Sequence, residues 1–350
     1  MDENIRRTTP LALTDVWYGK ELPDITEALS TRLSPGWFGL VSRSRLTRAL
    51  ALVWAGRRDP LLLTCWAESG LGLTVLCGLL GQRKLVILEF IDYDHQSRHA
   101  LVSSAYRAII KYILGPCGRR SILNVQVLTE WEKDHVVRNY GLEPSRVRVL
   151  HWPLLLGEIE GRPLGMSPEK PMVFSSGRAA CDWETLFAAF RLGDWPLTVV
   201  CTARDLPRIQ ALNADHKATV HTDIPKDEHD RLFASATVYA LCLKEKQKSS
   251  GQVRLASSIE AGVPVVASNV RGLIGYLVDG VTAAAVPPGD AQALSTAIGQ
   301  LMNSAEARRQ LVTAAQTFAR GNTREIYMDR IARMLAESNA EAGAPSPVRL

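Results

Sequence analysis

Short apolar runs along the chain alternate with stretches in which apolar residues recur every three or four positions, which predicts strands alternating with helices. "RLTRALALVWAGRRDPLLLTCW" predicts a basic amphipathic helix ending near Gly56. After Arg58-Asp59-Pro60 it predicts a short strand over Leu61–Cys65. "SGLGLTVLCGLL" reads as a helix and "LVILEF" as the next strand. "ALVSSAYRAIIKYILG" is helical by spacing, with Tyr106, Ile109, Ile110 and Ile113 on one side. "ILNVQVLT" is a strand, "EWEKDHVVRNYGL" a helix stopped by Gly141, and "VRVLHW" another strand. The segment 153–171, "PLLLGEIEGRPLGMSPEKP", breaks the alternation with Pro, Gly and charge and reads as a linker.

The alternation then resumes. "PMVFSS", "LTVVCTA", "KATVHTDI" and "VYALCL" are strands, separated by helices such as "DWETLFAAFRL" and "DEHDRLFASA". A Gly-Gln stretch, a helix and the strand signal "AGVPVV" follow, then "TAAAVPPGD" and the helix "AQALSTAIGQLMNS". The expectation is an α/β chain of two Rossmann-like domains facing a cleft: 1–153, a linker at 154–170, and a second domain from 171 to 318. The Ala/Pro/Ser-rich tail, 337–350, is expected to be loose.

Composition narrows the class. At 350 residues the chain is long for one core. With 46% hydrophobic and 22% charged residues it is globular rather than disordered. The net charge of +5 permits phosphate-bearing ligands or an anionic membrane surface, and does not call for nucleic acid. Cys65, Cys77, Cys117, Cys181, Cys201 and Cys242 stand singly, without a C-x-x-C pair, which points to a reduced interior and no zinc site. "MDENIRRTTP" lacks the apolar core of a secretory signal, so a cytoplasmic location is expected. The apolar window "LLLTCWAESGLGLTVLCGLLG" is broken by Glu68 and glycines, and reads as strand, turn and buried helix rather than a membrane span.

Four places carry candidate chemistry. In "FSSGRAACDWETL" a strand ends in Ser175-Ser176-Gly177-Arg178 and a helix begins near Asp182. Gly177 lets backbone approach a ligand and Arg178 can set a fixed charge against a phosphate, although a plain strand-to-helix turn with a surface Arg has the same pattern. Lys244, Lys246 and Lys248 follow a strand, and Ser250, Gly251 and Gln252 follow them at a helix start. That order suits a diphosphate facing backbone N–H groups; a solvated charge run is the other reading. "EFIDYDHQSRH" gathers Glu89, Asp92, Asp94, His95 and His99 at a strand end, either as an acid–base group or as a polar crossover loop. Arg107 and Lys111 share a helix face, with Arg119 and Arg120 beyond, which fits contact with an anionic bilayer or a wet face over a packed core. Trp37 and Phe38 in "LSPGWFGLVSRSR" are expected in a loop, as a substrate wall or a packed aromatic turn.

From Gly251 through Gly262, Pro264, Val265, Val266, Gly272, Asp279 and Gly280 to "VPPGD", the chain resembles the donor half of GT-B glycosyltransferases, most like the family 4 group. "SSGR" with "DWETLFAAF" is similar to that family's first strand-turn after the linker, and "NTREIYMDRIARML" looks like its final helix, here 319–336, which crosses back to the first domain. The resemblance implies transfer of a sugar from a nucleoside-diphosphate donor to an acceptor the sequence does not identify. It implies nucleotide in the C-terminal domain, acceptor in the N-terminal one, domain closure against water, and no cofactor or metal. It assigns Arg178 to a basic phosphate clamp, with Lys248 standing in for a lysine missing at Asp182-Trp183, and puts Ser176, Gly177, Ser250, Gly251 and Gln252 at the donor. Two glutamates usual in the family are absent. Ser257 takes the ribose-contacting place, Ser249 or Lys248 the earlier one, and Glu260 lies nearly a turn further on. The Ser-Gly-Gln loop resembles an atypical subgroup. Retention would let the leaving phosphate take the acceptor proton, whereas inversion would need a base from Asp92, Asp94 or His95.

Overall fold

The computed structural model describes residues 10–16, 19, 21–91, 100–157, 170–246 and 249–343. They divide into two compact units, one of Met1–Leu150 with Tyr327–Leu350 and one of His151–Ile326.

The strands of the first unit are β1 (Ala12–Thr14), β2 (Thr26–Ala28), β3 (Leu61–Cys65), β4 (Leu85–Leu88), β5 (Ile122–Val127) and β6 (Val147–Val149). They form one sheet in the order β2-β1-β3-β4-β5-β6, with every pair parallel. β3, β4 and β5 are buried along their whole length, as central strands must be when helices cover both faces of a parallel sheet. The connections are α1 (Leu29–Arg32), α2 (Pro35–Val41), α3 (Arg45–Ala55), α4 (Leu71–Leu79), α5 (Ala100–Ile109), α6 (Gly115–Ser121) and α7 (Glu130–Tyr140). α4 lies so close to α6 that a methyl group at Gly78 would stand 2.6 Å from the Cys117 Cα.

The second unit holds β7 (Val173–Ser176), α8 (Trp183–Leu192), β8 (Leu197–Cys201), α9 (Leu206–Leu212), β9 (Thr219–Thr222), α10 (Lys226–Ala234) and β10 (Val238–Leu241). α11 (Gln252–Glu260), β11 (Val265–Ser268), β12 (Ala284–Val286), α12 (Ala291–Asn303) and α13 (Ala305–Ala319) complete it. Its sheet runs β12-β11-β10-β7-β8-β9, again all parallel. The chain starts at the centre, winds out one way through β8 and β9, then returns to β10 beside β7. β7 and β10 therefore flank the point where the winding reverses, the place where open α/β sheets take ligands at their carboxyl ends.

Three sequence expectations are corrected, and two strands are added. The Trp37–Phe38 segment is helix α2, because Pro35 occupies the first helical turn where its missing N–H costs nothing. The helix from 100 is interrupted by a π-helical turn, Ile110–Leu114, whose extra residue rotates the face: Ile110 is buried while Ile109 and Ile113 are exposed. β1 and β2 are additional strands of three residues each. The final helix, α14 (Arg324–Glu341), starts later than 319 and continues into the stretch expected to be loose. It buries Ile331 and Leu335 completely, each a contribution of about 1.5–3 kcal/mol. Near its end the Ser338 hydroxyl accepts from Asn124 of β5 at 2.9 Å.

Candidate functional site

At the reversal point of the second unit, two loops knit together. The Asp182 N–H donates to the Cys242 carbonyl at 3.0 Å and the Lys244 N–H to the Ala180 carbonyl at 2.8 Å. Asp182 then caps α8, its carboxylate accepting from the Thr185 hydroxyl at 2.7 Å. Ser176 is buried at the end of β7, Gly177 opens the loop, and Arg178 projects as an exposed side chain with no hydrogen-bond or acidic partner among the described residues.

The loop after β10 leads into α11. Gly251 caps this helix at φ +97, a conformation that suits glycine, and a Cβ there would stand 2.7 Å from Leu243 Cδ1. Buried Gln252 donates to the Gly272 carbonyl at 2.5 Å, pinning the helix start to the turn after β11. Just before the cap, Ser249 is 5% exposed and its hydroxyl has no partner among the described residues. A buried hydroxyl without a partner at a helix N-terminus is suited to an anion.

In the first turn of α11, Arg254 borders a polar pocket of about 230 Å³ with Lys226, His229, Asp230, Ser257 and Glu260. His229 Nε2 lies 3.0 Å from the Ser176 hydroxyl and 3.3 Å from Arg254 Nη1, while Nδ1 faces Asp230 at 3.3 Å. The guanidinium can only donate, so Nε2 accepts and the proton of the neutral ring sits on Nδ1, toward Asp230. Burial holds the imidazole pKa below its usual value, and Arg254 adds to the effect although Asp230 opposes it. Burial also pushes the Cys181 thiol in the neighbouring loop up to about 11, with Arg254 pulling the other way.

The expected donor residues separate on these facts. Gly177, Arg178, Ser250 and Gly251 lie on the two loops at the reversal point, Ser176 and Gln252 on the element ends that flank them, and Ser257 lines the pocket. Glu260 also lines it, but one of its oxygens accepts the backbone N–H of Leu156 and that of Gly157, the latter at 2.9 Å. Of the lysine run, Lys244 is ion-paired to Glu184 at 3.1 Å, and Lys248 lies outside the described residues. Asp92, Asp94, His95 and His99 lie outside them as well. Arg254 and His229 were not singled out from the sequence, where both look like ordinary helix positions. The local signal was weak: a lone His in the charged helix "DEHDRLFASA".

The first unit has its own reversal point, between β1 and β3. Asp15 directly follows β1 and accepts from the Ser69 hydroxyl at 2.6 Å, while its second oxygen is buried with no partner among the described residues. Burial raises its pKa against the opposing pull of Ser69, Thr64 and Arg48. Because the folded pKa is raised, Asp15 favours folding below the unfolded carboxylate value, near 4, and this contribution is lost as pH rises through the folded pKa. Asp15→Asn is therefore expected to melt at a higher temperature than the parent at pH 7, with the gap closing under acid; thermal melts across that range check it. A lower melting temperature at pH 7 would contradict the burial account.

Residues 206–318 match the family model described as "Glycosyl transferases group 1", about a third of the chain. No curated protein matches the sequence. Among solved structures, Anabaena Alr3699/HepE in complex with UDP is similar at a TM-score of 0.68 and 13% identity, over 94% of this chain and 100% of that one. A glycosyltransferase from Rickettsia africae ESF-5 is similar at a TM-score of 0.65 and 14% identity, over 94% and 90%. Sucrose-phosphate synthase from Thermosynechococcus elongatus is similar at 0.63 and 18%, over 91% and 84%. The two Rossmann-like units thus have the fold of GT-B glycosyltransferases.

Proposed function

We propose that this protein transfers a sugar from a nucleoside-diphosphate donor to an acceptor hydroxyl. The observation that carries the reading is the meeting, at one sheet reversal point, of the α11 N-terminus, the Ser249 hydroxyl, unpartnered among the described residues, Arg178 on the facing loop and Arg254 beside a polar pocket. The match to glycosyl transferases group 1 and the UDP bound by the Anabaena neighbour support it. The pocket with Ser257, His229 and Arg254 is assigned to the nucleoside, and the head of α11 to its diphosphate.

In the reaction the bond from the sugar's anomeric carbon to the diphosphate oxygen breaks, and the electron pair leaves on phosphate. The acceptor oxygen forms the new bond. Backbone N–H groups of the first turn, the helix dipole, Arg178 and Arg254 stabilise the charge that develops on the leaving group. We assign a retaining, metal-independent course, in which the departing phosphate takes the acceptor proton and the chain's own cations neutralise it. The Ser-Gly-Gln start of α11 supports placing the chain in an atypical branch of the family 4-like group. Six unpaired cysteines fit a reducing, cytoplasmic compartment.

A second reading has its own observation. Ser257, and Ser249 or Lys248, stand where the resemblance leads one to expect glutamates, which suits a protein that binds nucleotide sugars without turning them over. Release of nucleoside diphosphate from a panel of nucleotide sugars separates the two. Release that is lost in Arg178→Ala supports transfer. Binding of a donor without release supports the second reading, and neither binding nor release with any donor contradicts both.

A further inference from the structure

Residues 28–58 contain six arginines and no acidic residue. Within them, α2 buries no side chain at all, and α3 buries only Ala49 and Leu52. Leu46, Leu50 and Trp54 recur at intervals of four along α3 and are exposed at 59%, 49% and 63%. Trp37 and Leu40 on α2 are exposed at 64% and 50%. Between the two helices lies an apolar trough of about 820 Å³, lined by Leu33, Trp37, Leu40, Val41, Leu50 and Trp54. An exposed apolar feature of this size marks a surface that something covers.

Charge identifies the occupant. Arg32 and Arg48 are neutralised by Asp59 and Glu68 respectively, but Arg43, Arg45 and Arg58 are exposed and have no acidic partner among the described residues. The Arg57 guanidinium sits 5.2 Å over the Trp54 ring and donates to the Trp54 carbonyl at 2.8 Å. A second copy of the chain would bring like charges together across an isologous contact. An anionic lipid surface meets both halves of the chemistry, with apolar side chains entering the acyl boundary, tryptophans at headgroup depth and guanidinium groups on phosphates.

The same helix layer repeats the pattern. α3 packs on α4, and α4 on α6 and the π-helical turn. There Leu79, Ile109, Tyr112 and Ile113 are exposed, and Lys111 lies 5.3 Å over the Tyr112 ring. Of the sixteen large apolar side chains exposed among the described residues, eleven belong to the first unit. No helix of the described residues is long and apolar enough to cross a membrane, so the contact is made from the surface.

We propose that the α2–α3 hairpin docks this protein on anionic phospholipid bilayers. The proposal stands independently of the glycosyl-transfer reading. Full-length protein is sedimented with phosphatidylcholine vesicles and with vesicles that also contain phosphatidylglycerol. Binding to the anionic vesicles, weakened by salt, is the expected result. Trp37→Ala with Trp54→Ala, and separately Arg43→Glu with Arg45→Glu, each lower the partition coefficient about tenfold or more. Arg309→Glu in the second unit leaves it unchanged, and circular dichroism melts of all variants match the parent. No preference for anionic vesicles, or undiminished binding by both double variants, overturns the proposal. A dimer in analytical ultracentrifugation that the tryptophan pair dissolves, without vesicle binding, assigns the trough to a second copy instead and also overturns it.

Discussion

Replacing Arg254 with alanine is expected to lower sugar transfer by about a hundredfold or more, with a matching loss of affinity for nucleoside diphosphates. The side chain lies in the first turn of α11, where helix N–H groups already favour an anion, and it borders the polar pocket. Removing it takes away a cation at the place assigned to the leaving group and the N–H that donates to His229. Arg254→Lys keeps a point charge and is expected to recover part of the activity, because a lysine cannot reproduce the planar fork. A structural readout accompanies the kinetic one. Arg254 helps to hold the His229 pKa down, so that pKa is expected to rise in Arg254→Ala, as followed by the imidazole NMR shifts through a pH titration. Activity within threefold of the parent would remove Arg254 from the site.

The second large effect concerns folding. Gly78→Val is expected to destabilise the protein by about 3 kcal/mol or more, read from the midpoint and slope of a urea transition. The cause is backbone proximity rather than conformational freedom. A Cβ at this position would meet the Cys117 Cα and Cβ at 2.6 Å and its carbonyl oxygen at 2.7 Å. Main chain cannot rotate aside as a side chain can, so α4 and α6 must move apart and loosen the core they cover. Urea stability within 0.5 kcal/mol of the parent would mean that the two helices part at little cost.

Gly78 also illustrates where sequence reasoning stops. "GLGLTVLCGLL" reads as an apolar helix, and nothing in its period says that one glycine faces another backbone. The central strands were legible because a parallel sheet covered on both faces demands continuous apolar runs, as in "LLLTC", "LVIL" and "VYAL". β1 and β2 were not, since three residues are too few to set a period. α2 was hidden by Pro-Gly-Trp-Phe-Gly, a composition that reads as a turn until Pro35 is placed in the first helical turn.

The site divides in the same way. The small-residue start of α11 was legible because Gly251 and its neighbours serve a local backbone need. The lysines before it looked like its natural cations, yet Lys244 answers to Glu184, a residue sixty positions earlier in the sequence that no spacing rule connects to it. Arg254 and His229 meet across two helices, a proximity that only the sheet order creates.

Nucleoside-diphosphate binding is assigned to the reversal point of the second unit. Calorimetric titration of the intact protein with the diphosphates of uridine, guanosine, adenosine, cytidine and thymidine tests it most directly, run in parallel on Arg178→Ala and Arg254→Ala. The parent is expected to bind at least one of them saturably, with affinity about tenfold or more weaker in each variant. Binding of none, or binding that both variants retain at full strength, would contradict it.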